Sequence, residues 1–562
     1  MKKETVFIFI IIFLALILRL VGINHGLPDI NRFFWETDEA ATINIAMGMG
    51  SGDFNPYSFN KPSLTYYLTF ICYAVFYLAA RLFNLFSSPF DFAIYYFKDT
   101  FWFYIIARAL SLVFGLLTIY MTYRVGKRAF GEKTGLLAAA LLTIIPLHIT
   151  YSRLALPDIQ ALLFMLLAVY FIIPLLERDA TKDYILAGLF AGLAATTKYH
   201  FGLIWLLVPG VFIYNLTKGK NNVKGILSSC LFFGIGFVLG TPFSVIDFPR
   251  FLSGLTALKA AKNIAVPFIP NWWIEHIRQL WDYRNLGAVL LILSLLALGY
   301  AIFKRSKAAL LLVVSVFIFY SFFSFPTIAW SPVHYLLPLM PFLAILVSFF
   351  ILSQLKQRHA LYISLAIIFI PVLLFDITNS ATLSRRDTKY YARQWIEKNI
   401  PKGSKLLTEC LYGPQLTLTG DSYARLNDSS DNDKTLLPSR ANVLNIKSGK
   451  KELLKAEKFK SLTEGVAYNI YPIFDKALFS QKNNISVRDF VKKYGIEYLI
   501  INSESKATYL EGNLFSQYKG QFNSFYDSLP ANTVKLSEFS PEAWKTLGPS
   551  IAVLKIIKEA KQ

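Results

Sequence analysis

The chain has 562 residues, of which 54% are hydrophobic, 16% aromatic and only 17% charged, with a formal net charge of +21. A mean hydropathy of +0.44 excludes an ordinary soluble globular protein. The scattered cysteines Cys72, Cys230 and Cys410 offer neither a disulfide framework nor zinc-type spacing, and the basic balance suits anionic lipid surfaces and phosphate-bearing substrates, not nucleic acid.

Met1-Lys2-Lys3 precedes an apolar run from Val6 to Val21 with no small-x-small cleavage site, so the run reads as an uncleaved first helix. Phe33-Phe34-Trp35-Glu36-Thr37-Asp38-Glu39 follows, where the chain should leave the bilayer, and Asn60-Lys61-Pro62 comes some twenty residues later. Acids beside so much membrane are costly unless they have a function. Asp38 also suits an N-cap for a helix beginning at Ala40, a role compatible with catalysis. Glu39 reads as a supporting charge, and Lys61 as a phosphate ligand or as a lysine reaching to headgroups.

Eleven spanning helices are expected, near 5–23, 101–123, 134–150, 159–176, 184–197, 201–216, 225–242, 286–303, 308–325, 333–353 and 360–379. The breaks holding Arg124/Lys127/Arg128/Lys133, Lys218/Lys220/Lys224, Lys304/Arg305/Lys307 and Lys356/Arg358/His359 then share one face with Lys2-Lys3, the expected cytoplasmic side. Leu64 to Phe86 is apolar enough to span, but a crossing there would move the basic breaks to opposite sides. It is therefore expected to lie in the interface or to re-enter, within a first external loop of residues 24–100.

The other outward loops concentrate chemistry. His148-Ile149-Thr150-Tyr151-Ser152-Arg153-Leu154-Ala155-Leu156-Pro157-Asp158 is the second, Thr196-Thr197-Lys198-Tyr199-His200 ends the fifth helix, and Trp330-Ser331-Pro332-Val333-His334-Tyr335 opens the tenth. Asp158 after Pro157 is also placed to cap a helix, and Lys198 and Arg153 to reach headgroups. Arg108 lies deeper, placed to meet a lipid phosphate or to pair with another helix. His148, His200 and His334 lack metal-ligand spacing, and Trp272-Trp273 reads as part of an interfacial belt.

From about Ala381 the composition turns polar, with no run long enough to span. A helix over 390–399, a strand at Lys405-Leu406-Leu407-Thr408, and a helix end, glycine turn and buried strand over 490–502 predict an external α/β domain, residues 381–562, behind a mostly α polytopic domain, residues 1–380. Asn427 to Lys434 reads as a polar loop, and Lys555 to Lys561 as a solvated helix end.

Asp-Glu in the first external loop, then x-Lys-Pro, Ser-Arg-x-x-x-Pro-Asp and Thr-Lys-Tyr together resemble the GT-C glycosyltransferases, in particular the dolichyl-phosphate-mannose protein mannosyltransferase and aminoarabinose (lipid A) transferase groups. His334-Tyr335-Leu336-Leu337-Pro338-Leu339-Met340-Pro341-Phe342 is similar to a stretch common there, and the tail resembles their outward-facing domains through 395–403. The resemblance implies inverting transfer of a hexose or pentose from a polyprenyl-phosphate carrier to a lipid, glycan or protein acceptor at the outer face of the cell membrane. It implies Asp38 as general base, Lys61 and Lys198 at the carrier phosphate, and Asp158 as a supporting acid that in some relatives shares a divalent metal with the first aspartate. Arg108, Arg153, His334 and Tyr335 complete the expected donor-binding set. Asn60, Ala41 and His334 depart from the pattern: the aminoarabinose group has an acid at the position of Asn60 and an arginine at that of Ala41, and an arginine usually stands in place of His334.

Two other classes fit parts of the chain. A transporter or flippase for polyprenyl-linked sugars would share the basic groups, although the charges cluster at one face and no inverted repeat is visible. A scaffold in envelope-polymer assembly would use the external domain and tolerate loss of Lys61.

Overall fold

The computed structural model describes residues 3–27, 37–261, 272–324 and 332–408, isolated positions between 414 and 422, and 467–472, 487–503, 533–541 and 549–557. The side chain of Asp38, the segments 28–36 and 325–331, the loop 427–434 and residues 558–562 of the basic tail lie outside the described residues.

The helices in chain order are α1 (Lys3–Leu20), α2 (Thr37–Gly48), α3 (Leu64–Leu82), α4 (Pro89–Lys98), α5 (Phe101–Phe130), α6 (Glu132–Ile144), α7 (Pro146–Ser152), α8 (Asp158–Arg178) and α9 (Thr181–Thr197). Then come α10 (Leu207–Leu216), α11 (Val223–Gly240), α12 (Phe243–Ile246), α13 (Phe248–Ala261), α14 (Trp272–Trp281), α15 (Ala288–Lys304), α16 (Lys307–Ser324), α17 (Leu339–Gln354), α18 (Arg358–Leu383), α19 (Thr388–Asn399) and α20 (Val487–Tyr494). Five strands follow α19 or flank α20: β1 (Lys405–Thr408), β2 (Asn469–Pro472), β3 (Tyr498–Asn502), β4 (Thr533–Phe539) and β5 (Ile551–Ile556).

The protein is mostly helical and polytopic by composition. Seven of its described helical stretches are long and apolar enough to cross a membrane, eight when the bent pair α6–α7 counts as one. The eleven expected spans include segments that form shorter helices. α15 and α17 have 17 and 16 residues. α9 has 17. α3, expected to lie in the interface or to re-enter, is one unbroken helix of 19 residues and is among the seven long and apolar enough to cross. The 68° bend between α6 and α7 falls at Pro146, which cannot continue the helical hydrogen bonding of α6.

The chain divides into two compact units. The first comprises residues 1–23, 54–72 and 106–381, the second 24–53, 73–105 and 382–562. In the first unit, α17 is buried on every side from Leu339 to Ser348. α9 and α11 pack backbone to backbone: a Cβ built on Gly188 or Gly192 would lie 2.2 Å from the carbonyl oxygens of Ser229 and Phe233, respectively. Small residues four apart permit this approach. α1 and α5 run antiparallel: Glu4 pairs with Lys127 at one end, and Arg108 Nη1 donates to the Ile23 carbonyl at 2.7 Å at the other.

In the second unit, β1 to β5 form one sheet in the order β2-β1-β3-β5-β4. β2, β1 and β3 are parallel, and β5 is antiparallel to both β3 and β4. α19 is N-capped by Asp387, whose carboxylate accepts from Lys389 N–H at 2.8 Å, and it buries Ala392, Ile396 and Ile400 against Leu406, Tyr468 and Val553. α20 ends at Gly495, which at φ +62° turns the chain into β3. The helix, glycine turn and strand are those expected from 490–502.

Candidate active site

Lys61, Asp158 and Lys198 come from three segments that the first unit fastens together. Lys61 lies on the loop before α3, with its Nζ buried. That loop is held at three points. The Tyr199 hydroxyl donates to the Phe59 carbonyl at 2.9 Å, Ser63 N–H donates to Thr241 Oγ1 at 3.2 Å, and Thr65 Oγ1 donates to Gln160 Oε1 at 2.6 Å. Thr241, at the end of α11, also hydrogen-bonds Thr196. Two of the anchors, Tyr199 and Gln160, thus lie within two residues of Lys198 or Asp158, and the third bonds Thr196, two residues before Lys198.

Asp158 opens α8 behind Pro157, but its carboxylate makes no capping hydrogen bond to the helix. It accepts the ammonium of Lys198 instead, and the two side chains are 3% and 12% exposed. A buried charge survives where it is paired.

Aromatic rings wall this pair. Lys198 Nζ lies 5.1 Å from the Tyr335 ring centroid. Tyr335 stacks on Phe323 at 4.5 Å and meets the edge of His200 at 5.1 Å. His334, 4.6 Å from Tyr335, packs on Tyr151 at 5.5 Å. The short helical turn Val333–Leu336 therefore brings both of its expected site residues to the second-loop and α9 segments. A cation against an aromatic face is attractive, and more so when desolvated.

The two arginines are placed differently. Arg153 Nη2 donates to the Leu18 carbonyl and to Ser380 Oγ at 2.6 Å, tying α7 to α1 and α18. Arg108 grips the Ile23 carbonyl. Both guanidinium groups thus hold the end of α1, where a cation complements exposed carbonyls. Arg19, wholly buried, donates Nη1 to the Ala15 and Thr143 carbonyls, both at 3.2 Å, and Nη2 to His148 Nδ1 at 2.7 Å. Arginine can only donate, so His148 carries its proton on Nε2. Asp376 in α18 lies within electrostatic reach of Arg19 and Arg153. This network is absent from the sequence reading, although an arginine and an aspartate inside apolar helices are its signal.

Glu39 is buried in α2 of the second unit, and Asp38 occupies the same helix. Among the described residues, no group of three or more His, Cys, Asp or Glu side chains could hold a metal. A cation at Asp158 would have to displace the Lys198 ammonium.

The sequence model of the dolichyl-phosphate-mannose-protein mannosyltransferase family matches residues 93–245, the stretch that holds Arg108, Arg153, Asp158 and Lys198. The resemblance read from the motifs and this match point to the same family. No curated protein matches the chain. Among solved structures, the oligosaccharyltransferase AglB of Archaeoglobus fulgidus, in complex with an inhibitory peptide and dolichol-phosphate, is 11% identical, with 91% of this chain and 72% of that one covered at a TM-score of 0.49. ArnT from Cupriavidus metallidurans bound to undecaprenyl phosphate is 16% identical, with 98% of each chain covered at 0.45. The Pmt1-Pmt2 protein O-mannosyltransferase complex of S. cerevisiae, bound to its sugar donor, is 18% identical over 45% of this chain and 34% of that one at 0.33.

Proposed function

We propose that the protein is an inverting glycosyltransferase that moves a sugar from a polyprenyl-phosphate carrier to an acceptor at the outer face of the cell membrane. The observation that carries the reading is the Lys198–Asp158 pair beneath Tyr335, stapled to the Lys61 loop, within the stretch matched by the mannosyltransferase family. Undecaprenyl phosphate in the ArnT structure and dolichol-phosphate in the AglB structure are carriers of the class this arrangement suits.

In this reading Lys61 and Lys198 receive the carrier phosphate, and Asp158 keeps Lys198 in place until the anion arrives. The acceptor hydroxyl attacks the anomeric carbon from the side opposite the phosphate. The new C–O bond forms as the bond to phosphate oxygen breaks, and the electron pair leaves on the polyprenyl phosphate. Asp38 takes the hydroxyl proton, as the resemblance implies. Charge grows on the departing phosphate, so two fixed ammonium groups stabilise the transition state more than the ground state. The N-terminus and the basic breaks take the cytoplasmic side and the α/β domain the external one.

The test uses purified protein and a panel of radiolabelled polyprenyl-phosphate sugars on membrane extracts, with wild type beside Asp38→Asn. Label transferred by wild type, and reduced at least a hundredfold by Asp38→Asn, supports the reading and identifies donor and acceptor together. Activity of the variant within a few-fold of wild type removes Asp38 as the base. Movement of labelled lipid across liposomes without transfer replaces the enzyme by a flippase.

A further inference from the structure

The end of α11 is fixed by groups that carry no charge. Thr241 N–H donates to the Phe237 carbonyl at 2.9 Å, and the Thr241 carbonyl accepts from Ser244 N–H at 3.0 Å and from Ser244 Oγ at 2.6 Å. Pro242 restricts the residue before it and ends the helix. With its backbone committed in this way, Thr241 holds its wholly buried hydroxyl in one place. That hydroxyl accepts Ser63 N–H at 3.2 Å and hydrogen-bonds the Thr196 hydroxyl. Ser63 and Thr196 are wholly buried too.

Three segments meet at this hydroxyl: the end of α11, the end of α9 and the start of α3. A Cβ on Gly240 would run into the Thr196 side chain and lie 3.1 Å from Leu64 Cβ, so the three approach as closely as glycine allows. α11 is also held in register with α9, since a Cβ on Gly236 would lie 2.5 Å from the Leu189 carbonyl oxygen. The links outward to the two lysines are short and stiff. Lys198 stands two residues beyond Thr196, and its N–H bonds the Ala194 carbonyl at 3.0 Å. Lys61 stands two residues before Ser63, across Pro62, whose ring fixes its own φ and keeps the preceding residue extended. Ser63 in turn opens α3, its carbonyl accepting Tyr66 N–H at 2.9 Å.

We propose that Thr241 is a positioning residue of the candidate site: one neutral hydroxyl ties the Lys61 segment to the Lys198 segment and sets the separation of the two lysines for a phosphate. The role rests on the proposed reading that both lysines receive the carrier phosphate. Two ammonium groups meant for one anion repel each other, so other groups must hold them before the anion arrives. Fixing their separation in advance removes an ordering cost from binding. A hydroxyl suits the position, because an ionised side chain there would need a partner of its own, and valine would leave Ser63 N–H and the Thr196 hydroxyl without this one.

The test titrates undecaprenyl phosphate, and in parallel dolichyl phosphate, into the purified full chain in detergent and reads Kd by calorimetry. Thr241→Val should weaken binding of the preferred carrier about tenfold, while Thr241→Ser, which keeps the hydroxyl, should stay within about twofold of wild type. In a Lys61→Met background the same Thr241→Val change should cost almost nothing, because its effect passes through Lys61. An equal cost in both backgrounds would reduce Thr241 to a structural residue and overturn the proposal. Hydrogen exchange gives a readout that needs no ligand. The peptide holding residues 61–64 should exchange faster in Thr241→Val and not in Thr241→Ser, and unchanged exchange would overturn the tie itself. Faster exchange in a protein whose wild type binds neither carrier would remove the proposed function, and with it the role of Thr241 at a phosphate, while leaving the tie in place. If Thr241→Val does not fold, Thr196→Val breaks the junction from its other side and should give the same pattern.

Discussion

The Lys198 ammonium and the Asp158 carboxylate form a buried ion pair across the ends of α9 and α8, 12% and 3% exposed, with the ring of Tyr335 5.1 Å from the ammonium. The acid placed to cap α8 neutralises a lysine forty positions away.

Breaking that pair from one side leaves a buried charge, which costs about 3–5 kcal/mol. Lys198→Met and Asp158→Leu should each lower the thermal midpoint in detergent more than the double variant does. Sugar transfer should be lost in all three. A double variant no more stable than the singles would mean that the charges are solvated and independent.

Tyr335 has a narrower role. Tyr335→Leu removes the face presented to Lys198 and the stack on Phe323. A cation–π contact of about 1–2 kcal/mol corresponds to a five- to thirty-fold rise in donor KM. Tyr335→Phe keeps the ring and should recover most of the loss. Steady-state kinetics with a water-soluble carrier analogue decides this, and equal defects in the two variants would assign the role to the hydroxyl.

The α9–α11 contact makes a contrast within one bundle. A Cβ at Gly192 would meet the Phe233 carbonyl at 2.2 Å, whereas nothing lies within 4 Å of one at Gly234. Gly192→Ala should destabilise the protein by about 1–3 kcal/mol. Gly234→Ala should be neutral or slightly stabilising, since alanine is the better helix former. Thermal unfolding in one detergent compares them, and similar midpoints would refute the close approach.

In the sheet-bearing unit, the buried Tyr468 hydroxyl donates to the Ile396 and Ile400 carbonyls, both at 3.2 Å, and accepts from Lys402 at 2.8 Å. Burial, and after it the nearby Glu397 carboxylate, pushes its pKa up to about 12. The neutral phenol is therefore favoured when folded. Its contribution is complete below the ordinary tyrosine value of about 10 and is lost as pH rises from there to about 12. Unfolding followed by circular dichroism should show stability falling across that window, and Tyr468→Phe should flatten the slope. A wild-type slope unchanged by the substitution would place the titrating group elsewhere.

Much of this molecule is written in local pattern. Long apolar runs with basic breaks announce a polytopic protein whatever its packing, because lipid demands hydrogen-bonded helices of sufficient length. The α19 helix, the Lys405–Thr408 strand and the Gly495 turn into β3 follow from periodicity and from glycine's freedom at positive φ. Lys61, Asp158, Lys198 and Tyr335 stand out as charges and aromatics beside membrane segments. Their grouping does not, because it depends on Phe59, Ser63 and Thr65 bonding Tyr199, Thr241 and Gln160, between 95 and 178 positions away. Nor could the sequence decide that Arg153 would grip the Leu18 carbonyl or that Asp158 would pair with Lys198. Composition fixes which residues must leave water. Which buried charge meets which partner is a property of packed helix ends, where the cost of an unpaired group selects one arrangement.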